Sequence, residues 1–139
     1  GKPFLMKLKI LLSVAAIYMA LVGLGLIFAP QSFGAGAVPA DASAALIAYL
    51  RLWGSPLLGI AALNWMSRNA EPSTALNAVI LGNIVGFAAI AALDVWGSFS
   101  GGRPVTKVFA LIHLIFAVAF VWAWRTGMSA RRSPSGRHG

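Results

Sequence analysis

Four long apolar blocks constrain this chain more than any other feature of its sequence. They cover residues 10–29, 44–66, 75–97 and 105–124, and each is close in length to the roughly 20 residues that a helix needs to cross a bilayer. The connecting segments are rich in Gly, Pro, Ser and Asn, which end helices. The blocks lack the alternation of a transmembrane barrel. The sequence therefore predicts an all-α integral membrane four-helix bundle, formed as a single domain over residues 1–139.

Composition supports the same class of protein. Of the 139 residues, 59% are hydrophobic and only 10% are charged. Since soluble domains carry about 25% charged residues, this chain has too few charges to cover a surface that faces water. The sequence contains no cysteine, which excludes disulfides and thiolate-ligated metal centres.

The basic residues are concentrated at the two ends of the chain. They precede the first block and follow the last one, at Lys2, Lys7, Lys9, Arg125, Arg131, Arg132 and Arg137. By the positive-inside rule both termini are predicted to be cytoplasmic, although this topology puts Arg103 and Lys107 on the outside. The basic tail 125–139 is predicted to be flexible and to lie near anionic headgroups. The net charge of +8 thus indicates membrane lipid rather than nucleic acid as the partner.

Two opposite charges interrupt the apolar blocks. Arg51 lies about 10 Å inside the second block and Asp94 about 5 Å inside the third, both measured from the same side of the membrane. A charged side chain in the middle of a spanning helix costs about 2.5–3.5 kcal/mol. We therefore expect Arg51 and Asp94 to pair with each other, because the pair offsets the desolvation of both groups.

Three further residues are predicted to join this polar cluster in the outer half of the bundle. His113 lies about 12 Å inside the fourth block, Tyr18 approaches from the first block, and Asn83 shares a helical face with Asp94. The cluster has two interpretations, a structural clasp between helices or a site for a ligand or ion. No cofactor is predicted, and a tetrapyrrole bound by His113 is a minor alternative.

Small residues at four-residue spacing predict close helix contacts. Ala78, Gly82 and Gly86 form one such series in the third block, and Ser55 and Gly59 form another in the second. In membranes, helices associate through small residues that allow the backbones to approach closely. The spacing predicts packing within the bundle or against a helix of another chain, and both alternatives remain open.

Two stretches resemble a known group of proteins. The run "RLWGSPLLGIAALNWMSR" over 51–68 and the "FAPQSF" that closes the first block are similar to small four-helix DoxX-like bacterial membrane proteins. The resemblance implies a four-helix fold in a bacterial cytoplasmic (inner) membrane. Since some members of that group have accessory roles in membrane respiratory complexes, it also implies an accessory role.

Three classes of function remain at this point. The first is a non-catalytic accessory or assembly subunit that binds other membrane helices, a second copy of itself, or a lipid-like molecule. The second is a small oligomeric transporter of amphipathic or cationic compounds, for which Asp94 is the only carboxylate in the blocks. The third is an intramembrane enzyme that uses His113, Asp94 and Tyr18 for acid–base chemistry; no nucleophile or phosphate-binding motif supports it.

Overall fold

The secondary structure of the described residues consists of helices. The computed structural model describes residues 2–34 and 36–132. Four long helices and one short one occupy most of this part, namely α1 (Lys2–Phe28), α2 (Pro30–Phe33), α3 (Ala44–Ser67), α4 (Thr74–Phe99) and α5 (Val105–Arg132). The side-chain oxygens of Ser43 and Ser73 accept hydrogen bonds from the backbone N–H groups of Leu46 and Leu76. These two N-caps explain why α3 and α4 begin where they do.

The four long helices are long and apolar enough to cross a membrane, which confirms the predicted all-helical class. Their outward faces are rich in exposed Leu, Ile, Val, Phe and Trp. A monomeric protein in water exposes apolar patches of only a few hundred Å². The length, the composition and the exposed apolar faces of these helices together indicate an integral membrane protein.

The helix bounds differ from the predicted blocks mainly at the two ends of the chain. The helix α1 already begins at Lys2, and α5 continues to Arg132. Residues 125–132 of the predicted flexible tail are therefore helical, and residues 133–139 lie outside the described part. Helical backbone does not end at the hydrocarbon boundary, because its hydrogen bonds are satisfied equally well in the headgroup region.

The described residues fall into two compact units. One unit contains α4 and α5 with residues 2–11 of α1, and the other contains the rest of α1 with α2 and α3. In the first unit α4 packs along α5, and the five residues 100–104 connect them. Gly101 adopts a positive φ of 86°, which glycine tolerates best, and the Gly102 N–H donates to the Gly97 carbonyl at 2.8 Å. This tight turn makes α4 and α5 antiparallel neighbours.

The second unit contains a very close helix contact between two glycines. A Cβ built on Gly54 of α3 would lie 2.6 Å from the carbonyl oxygen of Gly23 in α1. In the opposite direction, a Cβ on Gly23 would lie 3.0 Å from the Gly54 carbonyl oxygen. Both glycines are buried. The backbones of α1 and α3 thus approach each other as closely as they do because neither position carries a side chain.

Candidate functional site

A carboxylate and an imidazole meet between α4 and α5. The Nδ1 atom of His113 lies 2.5 Å from Oδ2 of Asp94. The His113 side chain is buried, whereas the Asp94 side chain is 20% exposed. Asp94 lies five residues before the end of α4, about 7.5 Å along the axis, and His113 lies eight residues after the start of α5, about 12 Å along it. The short antiparallel turn therefore brings the two side chains to nearly the same level.

The contact between Nδ1 and Oδ2 is a hydrogen bond whose donor depends on which of the two groups holds the proton. When the carboxylate is ionised it only accepts hydrogen bonds, and the Nδ1 nitrogen of His113 then donates to Asp94. An imidazolium beside a carboxylate carries no net charge as a pair, and neither does a neutral imidazole beside a protonated carboxyl group. Both states avoid an isolated charge in an apolar medium, which is the costly arrangement. Pairing the two groups thus avoids leaving either charge alone inside the spans.

Aromatic rings surround the imidazole. The Phe109 ring is stacked on His113 at a centroid distance of 6.1 Å, and the Phe87 ring lies at the same distance in a tilted arrangement. Phe87 also stacks on Phe116 at 4.6 Å and on Phe120 at 6.0 Å. Phe87, Phe116 and Phe120 are buried. These rings pack around the imidazole and contribute to its burial.

The aromatic residues around His113 were not part of the predicted site. Phe109, His113, Phe116 and Phe120 follow one another at spacings of four, three and four residues, which places them on a single face of a helix. Phe87 lies on the face of α4 that contains Asp94. The spacing was therefore a readable signal for an aromatic face, although it did not reveal which residues of α4 this face would contact.

Asn83 belongs to the same buried face of α4 but not to the immediate surroundings of the pair. It precedes Asp94 by eleven residues, or about 16 Å along the helix axis. Its side-chain nitrogen donates to the Val79 carbonyl of its own helix at 2.8 Å. The phenyl ring of Phe87 occupies the level between Asn83 and the pair. The predicted hydrogen bond from Asn83 to another helix stays a prediction.

Arg51 and Tyr18 belong to the other unit. Arg51 is exposed on α3, and it makes no hydrogen bond or ion pair with any residue that the structure describes. Tyr18 is half-buried in α1. Since Asp94 has its own partner in His113, the pairing of Asp94 with Arg51 stays a prediction, as does the approach of Tyr18 to the cluster.

The small residues singled out by their spacing lie on outward faces. Ala78, Gly82 and Gly86 on α4 and Ser55 and Gly59 on α3 are all exposed. A Cβ built on Gly59, Gly82 or Gly86 would meet no described atom within 4 Å. Close packing inside the chain instead uses Gly23 and Gly54. For these exposed series, packing within the bundle and contact with a helix of another chain both stay predictions.

The described residues give no further support for a bound metal or cofactor. No group of three or more His, Asp or Glu side chains comes together there. A tetrapyrrole at His113 would have to use Nε2, because Nδ1 is occupied by the contact with Asp94. That alternative also stays a prediction.

The comparisons with known proteins leave the chain without a family. No protein-family model, no curated protein and no solved structure matches it. The fold and the site therefore define the class as an all-helical protein with four candidate membrane spans and a carboxylate–imidazole pair within two of them.

Proposed function

We propose that this protein is a non-catalytic accessory subunit of a larger membrane complex and that it binds a partner helix along the outward face of α3. The observation that carries the proposal is Arg51, an exposed guanidinium without a described partner inside a helix apolar enough to span a membrane. The resemblance of residues 51–68 to DoxX-like proteins is in keeping with this role.

The position of Arg51 makes exposure to lipid unfavourable. It is seven residues from the start of α3, or about 10 Å along the axis. A guanidinium at the centre of a spanning helix costs about 2.5–3.5 kcal/mol, and the cost falls toward the interface. A carboxylate supplied by a helix of another protein would offset this cost through a bidentate ion pair. The partner expected here is thus a transmembrane helix that carries Asp or Glu.

The residues beside Arg51 favour a helix as the partner. Ser55 and Gly59 follow it at four-residue spacing and Ala62 follows three residues later, so that all four share one face. All four residues are exposed. A stripe of small residues allows another helix backbone to approach closely, and the guanidinium supplies the polar contact that selects the partner.

Copurification tests this proposal. The full chain with an affinity tag is extracted from its native membrane in a mild detergent, and the expected result is a stoichiometric complex with another membrane protein. Arg51→Leu is expected to lose at least about 90% of the partner, because a 1.4 kcal/mol loss of binding energy is a tenfold change. Gly59→Leu should have a similar effect, since it fills the groove that the partner helix occupies.

Two matched variants act as controls for copurification. Lys107→Gln removes one exposed cation from α5, and Gly82→Leu adds the same apolar volume to an exposed glycine of α4. Both are expected to retain the partner. Isolation of the wild-type chain as a monomer, or full retention of the partner by Arg51→Leu, would overturn the proposal. A complex that contains only copies of this chain would make the partner a second copy instead.

The proposed orientation places both termini in the cytoplasm of a bacterial cell. The cysteine-free sequence makes single-cysteine labelling straightforward. With a membrane-impermeant maleimide on intact spheroplasts, Ser100→Cys in the α4–α5 turn is expected to be labelled, whereas Lys2→Cys is expected to react only after permeabilisation. The reverse pattern would show that the basic termini are outside, contrary to the positive-inside rule.

A further inference from the structure

A cavity lies far from the Asp94–His113 pair, at the opposite end of the α4–α5 pair. Its volume is about 270 Å³, and α1, α4 and α5 all contribute to its lining. The principal lining residues are Phe4, Leu8, Leu76, Ile80, Trp124 and Gly127. Ile80 precedes Asp94 by fourteen residues, or about 21 Å along α4, so the cavity and the pair are separate sites.

The lining of this cavity is mainly apolar. Among the described residues that line it, only Asn77 has an amide side chain, and none is charged. Ligand pockets for whole small molecules usually measure about 300–1,000 Å³, so a cavity of about 270 Å³ suits part of one flexible apolar chain. Residues 133–139, "SPSGRHG", contain no large apolar side chain that could fill it.

Basic residues lie close in sequence to the lining of the cavity. Lys7 follows the lining residue Phe4 by three positions, and its Nζ atom lies 5.9 Å from the ring centroid of Trp122. The Trp122 ring in turn contacts Phe4 at 5.9 Å. Arg125 directly follows the lining residue Trp124, and both Lys7 and Arg125 are exposed. One exposed carboxylate, Glu71, precedes the lining residue Pro72, and the segment 2–9 adds the further cations Lys2 and Lys9.

We infer that this cavity binds one acyl chain of an anionic phospholipid, whose headgroup phosphate contacts Lys7 and Arg125. The apolar lining accepts the chain, and the exposed cations accept the phosphate, as basic pockets between membrane helices do. Trp122 and Trp124 place the cavity mouth at headgroup level, because tryptophan is enriched at membrane interfaces. The inference assumes that the helices span a membrane but is independent of any partner at Arg51.

Native mass spectrometry of the full chain in a mild detergent tests the inference with lipids of identical acyl chains. The expected result is a one-to-one adduct with phosphatidylglycerol that is about tenfold tighter than the adduct with phosphatidylcholine. Lys7→Gln is expected to weaken phosphatidylglycerol binding about fivefold, which corresponds to one basic residue near an anionic headgroup. Lys107→Gln removes an equal charge elsewhere and should leave binding unchanged.

A second variant tests the cavity rather than the headgroup. A Cβ on Gly127 would lie 3.5 Å from the Phe4 ring, an ordinary contact distance, so Gly127→Leu fills the space that the acyl chain would occupy. We expect it to lower the affinity for phosphatidylglycerol at least tenfold. Gly82→Leu adds the same volume at an exposed position and should have no effect.

Tryptophan fluorescence tests lipid binding in the wild-type protein, whose cavity is unaltered. Phosphatidylglycerol with brominated acyl chains is expected to quench the tryptophan fluorescence of the wild-type protein more than that of Trp124→Phe. The difference between the two reports the quenching of Trp124. Equal binding of both lipids, unchanged binding by Lys7→Gln and Gly127→Leu, or absence of that difference would overturn the inference. Displacement of the lipid by inorganic phosphate alone would likewise overturn it, because the acyl chain would then contribute nothing.

Discussion

Replacing Gly54 with alanine is expected to separate α1 from α3 and to lower the free energy of unfolding by about 1–3 kcal/mol, the usual cost of overpacking. The added Cβ would lie 2.6 Å from the carbonyl oxygen of Gly23 and 2.7 Å from Cγ1 of Ile27. The side chain of Ile27 can rotate away, but a backbone oxygen moves only with its helix. Since small residues drive helix association in membranes, the two helices must move apart and lose contacts along their length.

Gly59 offers a matched control on the same helix. Its position is open, with no described atom within 4 Å of a built Cβ, and alanine is a better helix former than glycine by about 1 kcal/mol in water. Gly59→Ala is therefore expected to retain or slightly raise the stability of the isolated chain. Gly23→Ala, with its nearest contacts at 3.0 Å, should fall between the two. Unfolding in detergent, followed by circular dichroism, measures the series, and equal stability of Gly54→Ala and Gly59→Ala would contradict the prediction.

The existence and type of the long helices followed from the sequence because composition alone determines them. A block of about 20 apolar residues has few alternatives in a bilayer, where each backbone polar group must be satisfied within its own segment. The sequence determined the ends of these helices less well. The helix α5 runs through Arg125 to Arg132, because basic residues do not interrupt a helix at the membrane surface. Charged residues thus indicate where the hydrocarbon core ends, but they do not indicate where the helix ends.

The close contact between α1 and α3 could not be predicted from residue spacing. Gly82 and Gly86 repeat at four residues and are exposed, whereas Gly54 has no small residue at four-residue spacing N-terminal to it and is buried. Spacing identifies which residues share a face, but it contains no information on whether that face meets another helix of the chain. Only the partner backbone at Gly23 distinguishes the packed glycine from the outward ones.

The partner of Asp94 was ambiguous for a related reason. Arg51 and His113 were both expected at a similar depth, and depth was the only coordinate that the sequence supplied. Five residues connect α4 to α5, and such short connections make antiparallel neighbours. The connector between α3 and α4, residues 68–73, is nearly as short, so loop length did not distinguish His113 from a residue of the second block. The turn residues Gly101 and Gly102 then set the register in which Asp94 and His113 meet.

Removing the imidazole from this pair is expected to cost more than removing both partners. His113→Phe preserves an aromatic ring that can stack on Phe109 and Phe87, but it leaves the Asp94 carboxylate without its donor. Breaking a fully buried pair costs about 3–5 kcal/mol, and since the Asp94 side chain is 20% exposed, we expect a loss of about 2–3 kcal/mol. Asp94→Asn should cost less, because an amide oxygen still accepts from Nδ1.

The double variant Asp94→Leu/His113→Phe distinguishes a polar clasp from simple packing. It removes both polar groups and leaves no unpaired charge, so it should recover about 1–2 kcal/mol relative to His113→Phe alone, within the usual range for residues in contact. Ser98→Ala is the local control, because the Ser98 hydroxyl donates to the Asp94 backbone carbonyl and not to its carboxylate. Unfolding of His113→Phe, Asp94→Leu, the double variant and Ser98→Ala in the same detergent measures the coupling. If the two single effects simply added, the short contact between His113 and Asp94 would contribute nothing to stability, and the pair would not be a polar clasp.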